Sequence, residues 1–304
     1  TYIGGMWAIS ITDFIQSVII IVGLLVLAVT LSKEAGGVQH VLATVKPGTF
    51  QFFPKADFKE IVIYIAAWSV LGLGSIPSQD VFQRVMSSNS VNTAVRSCFI
   101  AAVLYLTVAM LPLFISLCTR QLYPEFIQGD AQLALPNMIL THASLPIQIL
   151  FFGSLLSAIM STTSSAILAP SSIFSENLVK PLAGDRFNDK QLLTITRLSV
   201  LGFGALATVM ACMRSNIYEL VRESSVLSLV SLFAPLVFGL YWKKANSKGA
   251  LLAMILGILT WVVAKQFDMT WPSLVPAVLV SILAMIFGSL FWKDKVNVEA
   301  NGKN

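Results

Sequence analysis

Asp13 is a carboxylate in an otherwise apolar stretch near the N-terminus, and a carboxylate in that setting can bind a cation or carry a proton. The uncharged run 14–32 follows it directly. If a helix begins near Gly5, Asp13 lies about two turns into a membrane. Insertion scales put the cost of a central Asp at roughly 2.5–3.5 kcal/mol. An interfacial Asp that reaches water is the other interpretation, and the neighbouring residues leave both open.

A run of hydroxyl residues is the second polar feature inside an apolar segment. Its order is Ser161-Thr162-Thr163-Ser164-Ser165. On a helix, Ser161, Ser164 and Ser165 share one face, and Ala158 lies on that face one turn earlier. Hydroxyl and carbonyl oxygens suit a hard cation, and Asp13 could supply the negative charge that such a site needs. Tight helix packing through small residues is the alternative.

Two glycines and a proline interrupt another apolar run. Gly72, Gly74 and Pro77 fall within six residues of one another. Broken backbone at membrane depth is tolerated only where it is buried in protein or lines a cavity. Secondary transporters use discontinuous helices there to expose backbone groups to substrate and ions. The segment is therefore a candidate substrate-facing element, with a simple proline kink as the alternative.

The composition indicates which elements must position these residues. Of the 304 residues, 56% are hydrophobic and 12% are charged, and the mean hydropathy is +0.79. Soluble domains carry about twice that share of charge, so an ordinary soluble domain is excluded. About 20 apolar residues span a bilayer as a helix, and the alternation typical of barrel strands is missing. The uncharged windows predict about eight transmembrane helices: 14–32, 61–79, 97–119, 131–175, 198–213, 224–242, 249–264 and 269–292.

The long window 131–175 exceeds the length of one span. Pro136, Pro146 and Pro170 divide it, because a proline inside a helix removes a hydrogen bond and clashes with the preceding turn. We expect one full span over about 146–170, preceded by a short helical or re-entrant piece.

The basic residues predict an orientation. Twelve of the 20 Lys and Arg residues, Arg84 among them, fall in one alternating set of connections that includes the C-terminal tail. Seven fall in the other set, and Arg222 lies within a span. Because Lys and Arg accumulate on the cytoplasmic side, we expect a cytoplasmic C-terminus and a first span that runs outward. The net charge of +5 then marks one face of the membrane rather than an anionic partner.

Motifs of catalysis are missing from the sequence. We find no hydrolase triad, phosphate-binding loop or zinc-ligand spacing. The sequence therefore predicts a protein that is not an enzyme, binds no nucleic acid and needs no cofactor.

Four segments, in order along the chain, resemble the sodium/solute symporter family. They are Gly5 to Gln16, residues 76–87 (Ile-Pro-Ser-Gln-Asp-Val-Phe-Gln-Arg-Val-Met-Ser), residues 158–162 (Ala-Ile-Met-Ser-Thr), and residues 239–246 (Gly-Leu-Tyr-Trp-Lys-Lys-Ala-Asn) with Gly249-Ala250. The resemblance implies an all-α integral membrane protein with a partial LeuT-type fold, in which two five-helix repeats are inverted relative to each other.

The resemblance also implies how the chain is organised. Residues 1–304 are expected to form one transmembrane domain that lacks the first helices of the family. Residues 5–31 resemble the last helix of the first repeat, and 60–240 resemble the second repeat. Residues 248–292 resemble two trailing helices, and 293–304 a cytoplasmic tail.

Two sodium sites follow from the resemblance, residue by residue. The first uses the carbonyl of Ala158 and the hydroxyls of Ser161 and Thr162, with its other ligands on a helix that precedes this sequence. The second, found in some members, uses Asp13, Ser161, Ser164 and Ser165. No metal other than sodium is expected.

The broken segment is expected to face the substrate. The residues concerned are Trp68, Gly72, Gly74, Ser75, Ser78 and Gln79. Residues 71, 74 and 75 differ from the aromatic and amide pattern of sugar-transporting members and from the Trp and Tyr of proline transporters. The run 74–84 is nearest to the choline-transporter-like branch, although Ser78 replaces the Trp that branch carries.

The function implied is a sodium-coupled secondary active symporter that imports a small organic solute by alternating access. It would lie in a plasma membrane or a bacterial inner membrane, with sodium, solute and lipid as its partners and an unspecified oligomeric state. A transporter-like sensor that binds solute for signalling is the alternative.

Overall fold

The computed structural model describes residues 4–54, 57–127, 130, 132–183, 187–213, 216–267 and 271–292. Every regular element in these ranges is helical, which agrees with the predicted all-α class. The α-helices are α1 Gly5–Glu34, α2 Val38–Ala43, α3 Phe58–Gly74, α4 Gln79–Met86, α5 Val91–Val108, α6 Met110–Leu122, α7 Ala134–His142, α8 Leu145–Ile173, α9 Lys180–Ala183, α10 Asp189–Cys212, α11 Ile217–Ser228, α12 Ala234–Tyr241, α13 Ser247–Gln266 and α14 Leu274–Phe291. A 3₁₀ turn covers Pro124–Ile127, and π-helical turns cover Phe174–Val179 and Leu229–Phe233.

Seven helical segments in the described ranges are long and apolar enough to cross a bilayer, and an eighth is reached if the bent pair α3 and α4 counts as one span. The segments coincide with the eight predicted windows. Large apolar side chains such as Trp7, Phe14 and Leu106 are exposed along them. Helices that expose apolar side chains in this way are solvated by lipid, so the chain is an integral membrane protein.

The predicted interruption near Gly72 and Pro77 is present. Helix α3 ends at Gly74, α4 begins at Gln79, and the two axes differ by 42°. The long window also divides as expected. Short α7 precedes α8, which begins at Leu145 beside Pro146 and continues through Pro170 into the π-helical turn Phe174–Val179.

The chain divides into two compact units, Thr1–Phe50 with Gln83–Val209 and Gln51–Phe82 with Met210–Asn304. In the first unit, α1 packs along α8 and α6. The C-terminal half of α1 contributes Leu27 and Leu31 to a core with α6 and α7, which also contains Ile115 and Ile139. Its N-terminal half places Ile9 against α8 and α10. Helix α1 is therefore held at both ends.

The second unit is built from α3 and α11 to α14, and α13 with α14 is its most extensive helix pair. Val70 of α3, Val226 of α11 and Ala277 of α14 share one core. Asn246 caps α13, because its side-chain oxygen accepts a hydrogen bond from the Gly249 N–H. Such caps satisfy a backbone donor that the first helical turn leaves unpaired.

Several sequence predictions fall beyond the described residues. The predicted cytoplasmic tail 293–304 lies outside them, as do Arg186 and Arg214 of the charge count. The predicted boundaries 5–31, 60–240 and 248–292 of the repeats and trailing helices stay predictions.

Candidate functional site

The pairing of α1 with α8 brings the two main polar features together. The helices run antiparallel and approach closely at Gly23, where a Cβ would overlap the Ser154 hydroxyl. The Ser154 hydroxyl in turn donates a hydrogen bond to the Ile19 carbonyl at 3.1 Å. Small residues at a crossing let two helix backbones come close. This crossing sets the pairing that places Asp13 opposite Ser161.

Asp13 is the centre of the polar cluster in the first unit. Its Oδ1 accepts a hydrogen bond from the Ser161 hydroxyl at 2.6 Å. Its Oδ2 accepts one from Arg84 Nη2 at 2.8 Å. The Asp13 side chain is 19% exposed. Both carboxylate oxygens are thus engaged by protein groups.

Arg84 connects the carboxylate to the serine helix. The same Nη2 atom that contacts Asp13 donates a hydrogen bond to the Ser165 hydroxyl at 2.9 Å. Ser165 is buried, and its hydroxyl donates to the Thr162 carbonyl at 3.1 Å. One guanidinium nitrogen therefore bridges α1 and α8.

Arg84 was not predicted to be a site residue. Its charge was counted with the loops, whereas Arg84 lies on α4, a helix that extends beyond the apolar window ending at residue 79. The sequence did indicate that Asp13 needs a partner, because a carboxylate within a membrane span almost always pairs with another group. Arg84 follows the broken segment closely in the sequence, but only the folded chain shows which basic residue Asp13 reaches.

The remaining predicted sodium ligands lie on the same part of α8. Ala158 and Ser164 are half-buried and Thr162 is exposed. The structure brings Asp13, Ser161 and Ser165 into one hydrogen-bonded cluster. Among the described residues, the hydroxyls of Thr162 and Ser164 make no hydrogen bond, so their oxygen atoms are available to a ligand.

The predicted substrate-facing residues lie in the second unit. The Trp68 side chain is 61% exposed, and its ring lies 6.0 Å from that of Tyr64 and 6.2 Å from that of Phe52. Gly72 has open space where a Cβ would be, whereas Gly74 is buried and a Cβ there would overlap the Ser225 carbonyl oxygen. Close helix packing therefore explains Gly74, and its predicted contact with substrate stays a prediction.

The polar side chains at the break are bonded locally. The Ser75 hydroxyl donates to the Leu71 carbonyl at 2.6 Å. The Ser78 hydroxyl donates to Asp80 Oδ1. Gln79 is the exposed first residue of α4. These bonds satisfy backbone and side-chain groups that the interruption of the helix would otherwise leave unpaired.

The cluster on α1 and α8 has the chemistry of a site for a hard monovalent cation. It offers a carboxylate, several hydroxyls and helix carbonyl oxygens, which are the ligands that such ions prefer over sulfur or imidazole. In the part of the chain that the structure describes, no three His, Cys, Asp or Glu side chains form a metal cluster. Membrane-spanning helices, an internal carboxylate and a broken helix are features that ion-coupled membrane transporters share.

The family model of the sodium:solute symporter family matches residues 1–257. The chain therefore belongs to the sodium:solute symporter family, as the resemblance predicted.

The chain is also similar to two relatives and to one solved structure. The high affinity choline transporter 1 of Mus musculus is 30% identical over 271 residues, which cover 85% of this chain and 46% of that transporter. The osmoregulated proline transporter OpuE of Bacillus subtilis strain 168 is 28% identical and covers 96% of this chain and 61% of that protein. A Na⁺-coupled sialic acid symporter in a substrate-bound, outward-open state has a TM-score of 0.81 at 18% identity, covering 96% of this chain and 64% of that one.

The comparisons confirm the predicted fold class, the LeuT-type helical fold, and the assignment to a family of transporters rather than enzymes. The chain spans about half the length of the choline transporters that it matches.

Proposed function

We propose that the intact protein is a sodium-coupled secondary active symporter that imports a small organic solute by alternating access. Membership of the sodium:solute symporter family supports sodium as the coupling ion. The observation that carries the proposal is the 2.6 Å hydrogen bond from Ser161 to Asp13. This bond joins Asp13, the carboxylate within α1, to the hydroxyl run of α8; the other carboxylate of α1, Glu34, is its last residue.

The first sodium site is proposed at the carbonyl of Ala158 and the hydroxyls of Ser161 and Thr162. These three residues occupy just over one turn of α8, so their oxygens can converge on one ion. The free hydroxyl of Thr162 supports the proposal. Sodium bound there would hold α8 against a neighbouring helix and favour the outward-open state that accepts solute.

The second sodium site is proposed at Asp13, Ser161, Ser164 and Ser165. The carboxylate supplies the negative charge that offsets the loss of the hydration shell of the ion. Ser161 is a ligand of both proposed sites, which would make the two ions sensitive to each other. The available hydroxyl of Ser164 supports this set, whereas Ser165 and Asp13 are engaged by Arg84.

The membrane potential would supply much of the driving force. Each elementary charge that crosses 100 mV contributes about 2.3 kcal/mol. Two sodium ions per neutral solute would double this electrical contribution. The proposed second site would therefore increase the ratio of internal to external solute concentration that the protein can reach.

The solute is proposed to be a small, polar organic molecule that contacts the broken segment through Trp68, Gly72, Gly74, Ser75, Ser78 and Gln79. The names of the relatives make choline and proline the first candidates. Choline is a quaternary ammonium ion, and such ions bind aromatic faces. The exposed Trp68 beside Tyr64 and Phe52 supports an aromatic contact, although Ser78 provides none.

The C-terminus is proposed to be cytoplasmic, on the distribution of Lys and Arg. With that orientation the N-terminal end of α1, and Asp13 with it, lies toward the cytoplasmic half of the membrane. A plasma membrane or bacterial inner membrane is the proposed location.

Uptake into proteoliposomes tests the proposal. The intact protein should accumulate radiolabelled choline or proline when an inward sodium gradient is imposed, and an interior-negative potential should increase the accumulation. An equal potassium gradient is the control. Uptake that is independent of sodium, or solute binding without any uptake as expected for a sensor, would contradict the proposal.

A further inference from the structure

The Arg84 guanidinium occupies the position of a cation in the proposed second sodium site. Its Nη2 atom lies 2.8 Å from Asp13 Oδ2 and 2.9 Å from the Ser165 hydroxyl. These are two of the four proposed ligand residues, and both contact the same nitrogen. An N–H donor and a sodium ion both bind through oxygen lone pairs, so the Arg84 N–H and a sodium ion compete for Asp13 Oδ2 and the Ser165 hydroxyl.

The positive charge of Arg84 adds to this competition, because it also opposes the approach of a second cation. Asp13 and Arg84 form a neutral pair, and the Asp13 side chain is only 19% exposed. A sodium ion that approached this neutral pair would be repelled by the guanidinium a few ångströms away, and water at the 41% exposed Arg84 side chain would screen part of that repulsion. Once the guanidinium moves away, the carboxylate keeps its hydrogen bond from Ser161 but has no positively charged partner, and it then attracts a cation.

Two buried amide oxygens belong to residues close in sequence to Asp13 and Arg84. In the described part of the chain, Gln16 Oε1 and Gln83 Oε1 are buried and have no hydrogen-bond partner. Gln16 lies three residues after Asp13 on the same face of α1, and Gln83 precedes Arg84 on α4. Buried acceptors without partners are rare in native proteins, and amide oxygens are ligands suited to a hard cation.

We propose that Arg84 is a built-in competitor of the second sodium ion: it neutralises Asp13 in the sodium-free protein and is displaced when sodium binds to Asp13 and Ser165. This inference rests on the proposed function, which supplies the second sodium site. Arg84 then sets the apparent affinity of that site. Displacement of Arg84 also removes its hydrogen bonds to α1 and α8.

Sodium binding to purified variants tests the competition. In the intact protein, Arg84→Gln should lower the sodium concentration that half-saturates the second site by threefold or more. Arg84→Lys should change it less, because lysine retains the positive charge. Arg96→Gln, at an exposed arginine of α5 in the same unit, is the matched control and should bind sodium as the wild type does.

The rate of chemical modification of Arg84 measures directly whether its guanidinium is displaced. An arginine-selective dicarbonyl reagent, with peptide mass spectrometry, should modify Arg84 faster in sodium chloride than in N-methyl-glucamine chloride. In Asp13→Asn, the modification should be fast in both salts, since the partner of the guanidinium has lost its charge. The modification rate of Arg96 should not depend on sodium in either protein.

The outcomes separate this inference from the proposed function. Saturable sodium binding with equal or weaker affinity in Arg84→Gln, or a modification rate of Arg84 that sodium does not change, would overturn the competition alone. The complete absence of saturable sodium binding in the wild type and in Arg84→Gln would overturn the proposed function, and this inference with it.

Discussion

The Ser161 hydroxyl of α8 donates a hydrogen bond to Asp13 Oδ1 of α1 at 2.6 Å, across 148 residues of sequence. This bond places a carboxylate beside the hydroxyl run of α8. It is also the point at which the two proposed sodium sites share a ligand.

Loss of the Ser161 hydroxyl should weaken sodium binding more than solute binding. We expect Ser161→Ala to raise the half-saturating sodium concentration of solute uptake by about tenfold or more, because a lost charge-assisted contact costs about 1.5–3 kcal/mol. Solute affinity at saturating sodium should change little. Thr163→Ala removes an exposed hydroxyl from the same run and is the control. Equal sodium dependence in the two variants would contradict the assignment of Ser161.

Neutralisation of Asp13 should remove the second ion. Asp13→Asn keeps the size of the side chain but not the charge that offsets sodium, so the ratio of sodium to solute transported should fall from two to one and the Hill coefficient for sodium should fall with it. The measurement is the reversal potential of uptake in proteoliposomes. Asp189→Asn, at an exposed carboxylate that begins α10, should leave the ratio at two. A ratio of two in Asp13→Asn would rule out this carboxylate as a ligand.

The close approach of Gly74 to α11 predicts a difference between the two glycines of α3. A Cβ at Gly74 would overlap the Ser225 carbonyl oxygen, whereas Gly72 has open space. We expect Gly74→Ala to destabilise the protein by about 1–3 kcal/mol, as overpacking usually does. Gly72→Ala should be neutral or stabilising by up to about 1 kcal/mol, because Ala favours helix.

The readout for this pair is the thermal unfolding temperature in detergent. A lower temperature for Gly74→Ala than for Gly72→Ala is the expected order. The reverse order would show that Gly74 is not packed against α11.

The phenol of Tyr123 should ionise at unusually high pH. Its pKa lies above the ordinary value because of burial first, and then because of the negative charge of Glu34 and a hydrogen bond to it, with a smaller effect of Glu125. Since the folded protein holds this proton more tightly than the unfolded chain, the associated stability is present at neutral pH and is lost as the pH rises through the folded pKa.

Tyr123→Phe isolates this contribution. The variant should unfold at a lower temperature than the wild type at neutral pH, because it loses the interaction of the phenol with Glu34. The difference in unfolding temperature between the wild type and the variant should become smaller as the solution becomes strongly alkaline. A difference in unfolding temperature that does not change with pH would mean that Glu34 does not raise the pKa of Tyr123.

The sequence predicted the helices well because their signal is local. An apolar run of a given length suffices to define a span, and Gly72, Gly74 and Pro77 suffice to interrupt one. The proximity of Asp13 and Ser161 was implied by family resemblance, since no local pattern links two residues on helices that are distant in the chain. The structure supplies that link through the close crossing of Gly23 and Ser154.

Arg84 and Gly74 show what local patterns could not provide. Charge counting treats every arginine between spans alike, but the partner of a buried carboxylate is chosen by tertiary packing. Gly74 was read as part of a substrate-facing break, and its contact with the Ser225 carbonyl is visible only once α3 and α11 are packed together. In both cases the missing information concerns which helices are neighbours.

The most direct test of the two proposed sodium sites is a count of sodium ions bound to the purified intact protein, made with radioactive sodium in the absence of solute. Two saturable ions are expected in the wild type, one in Asp13→Asn, and a large loss of binding in Ser161→Ala, which removes a ligand shared by both proposed sites. The same number and affinity of bound ions in all three proteins would contradict the two sites.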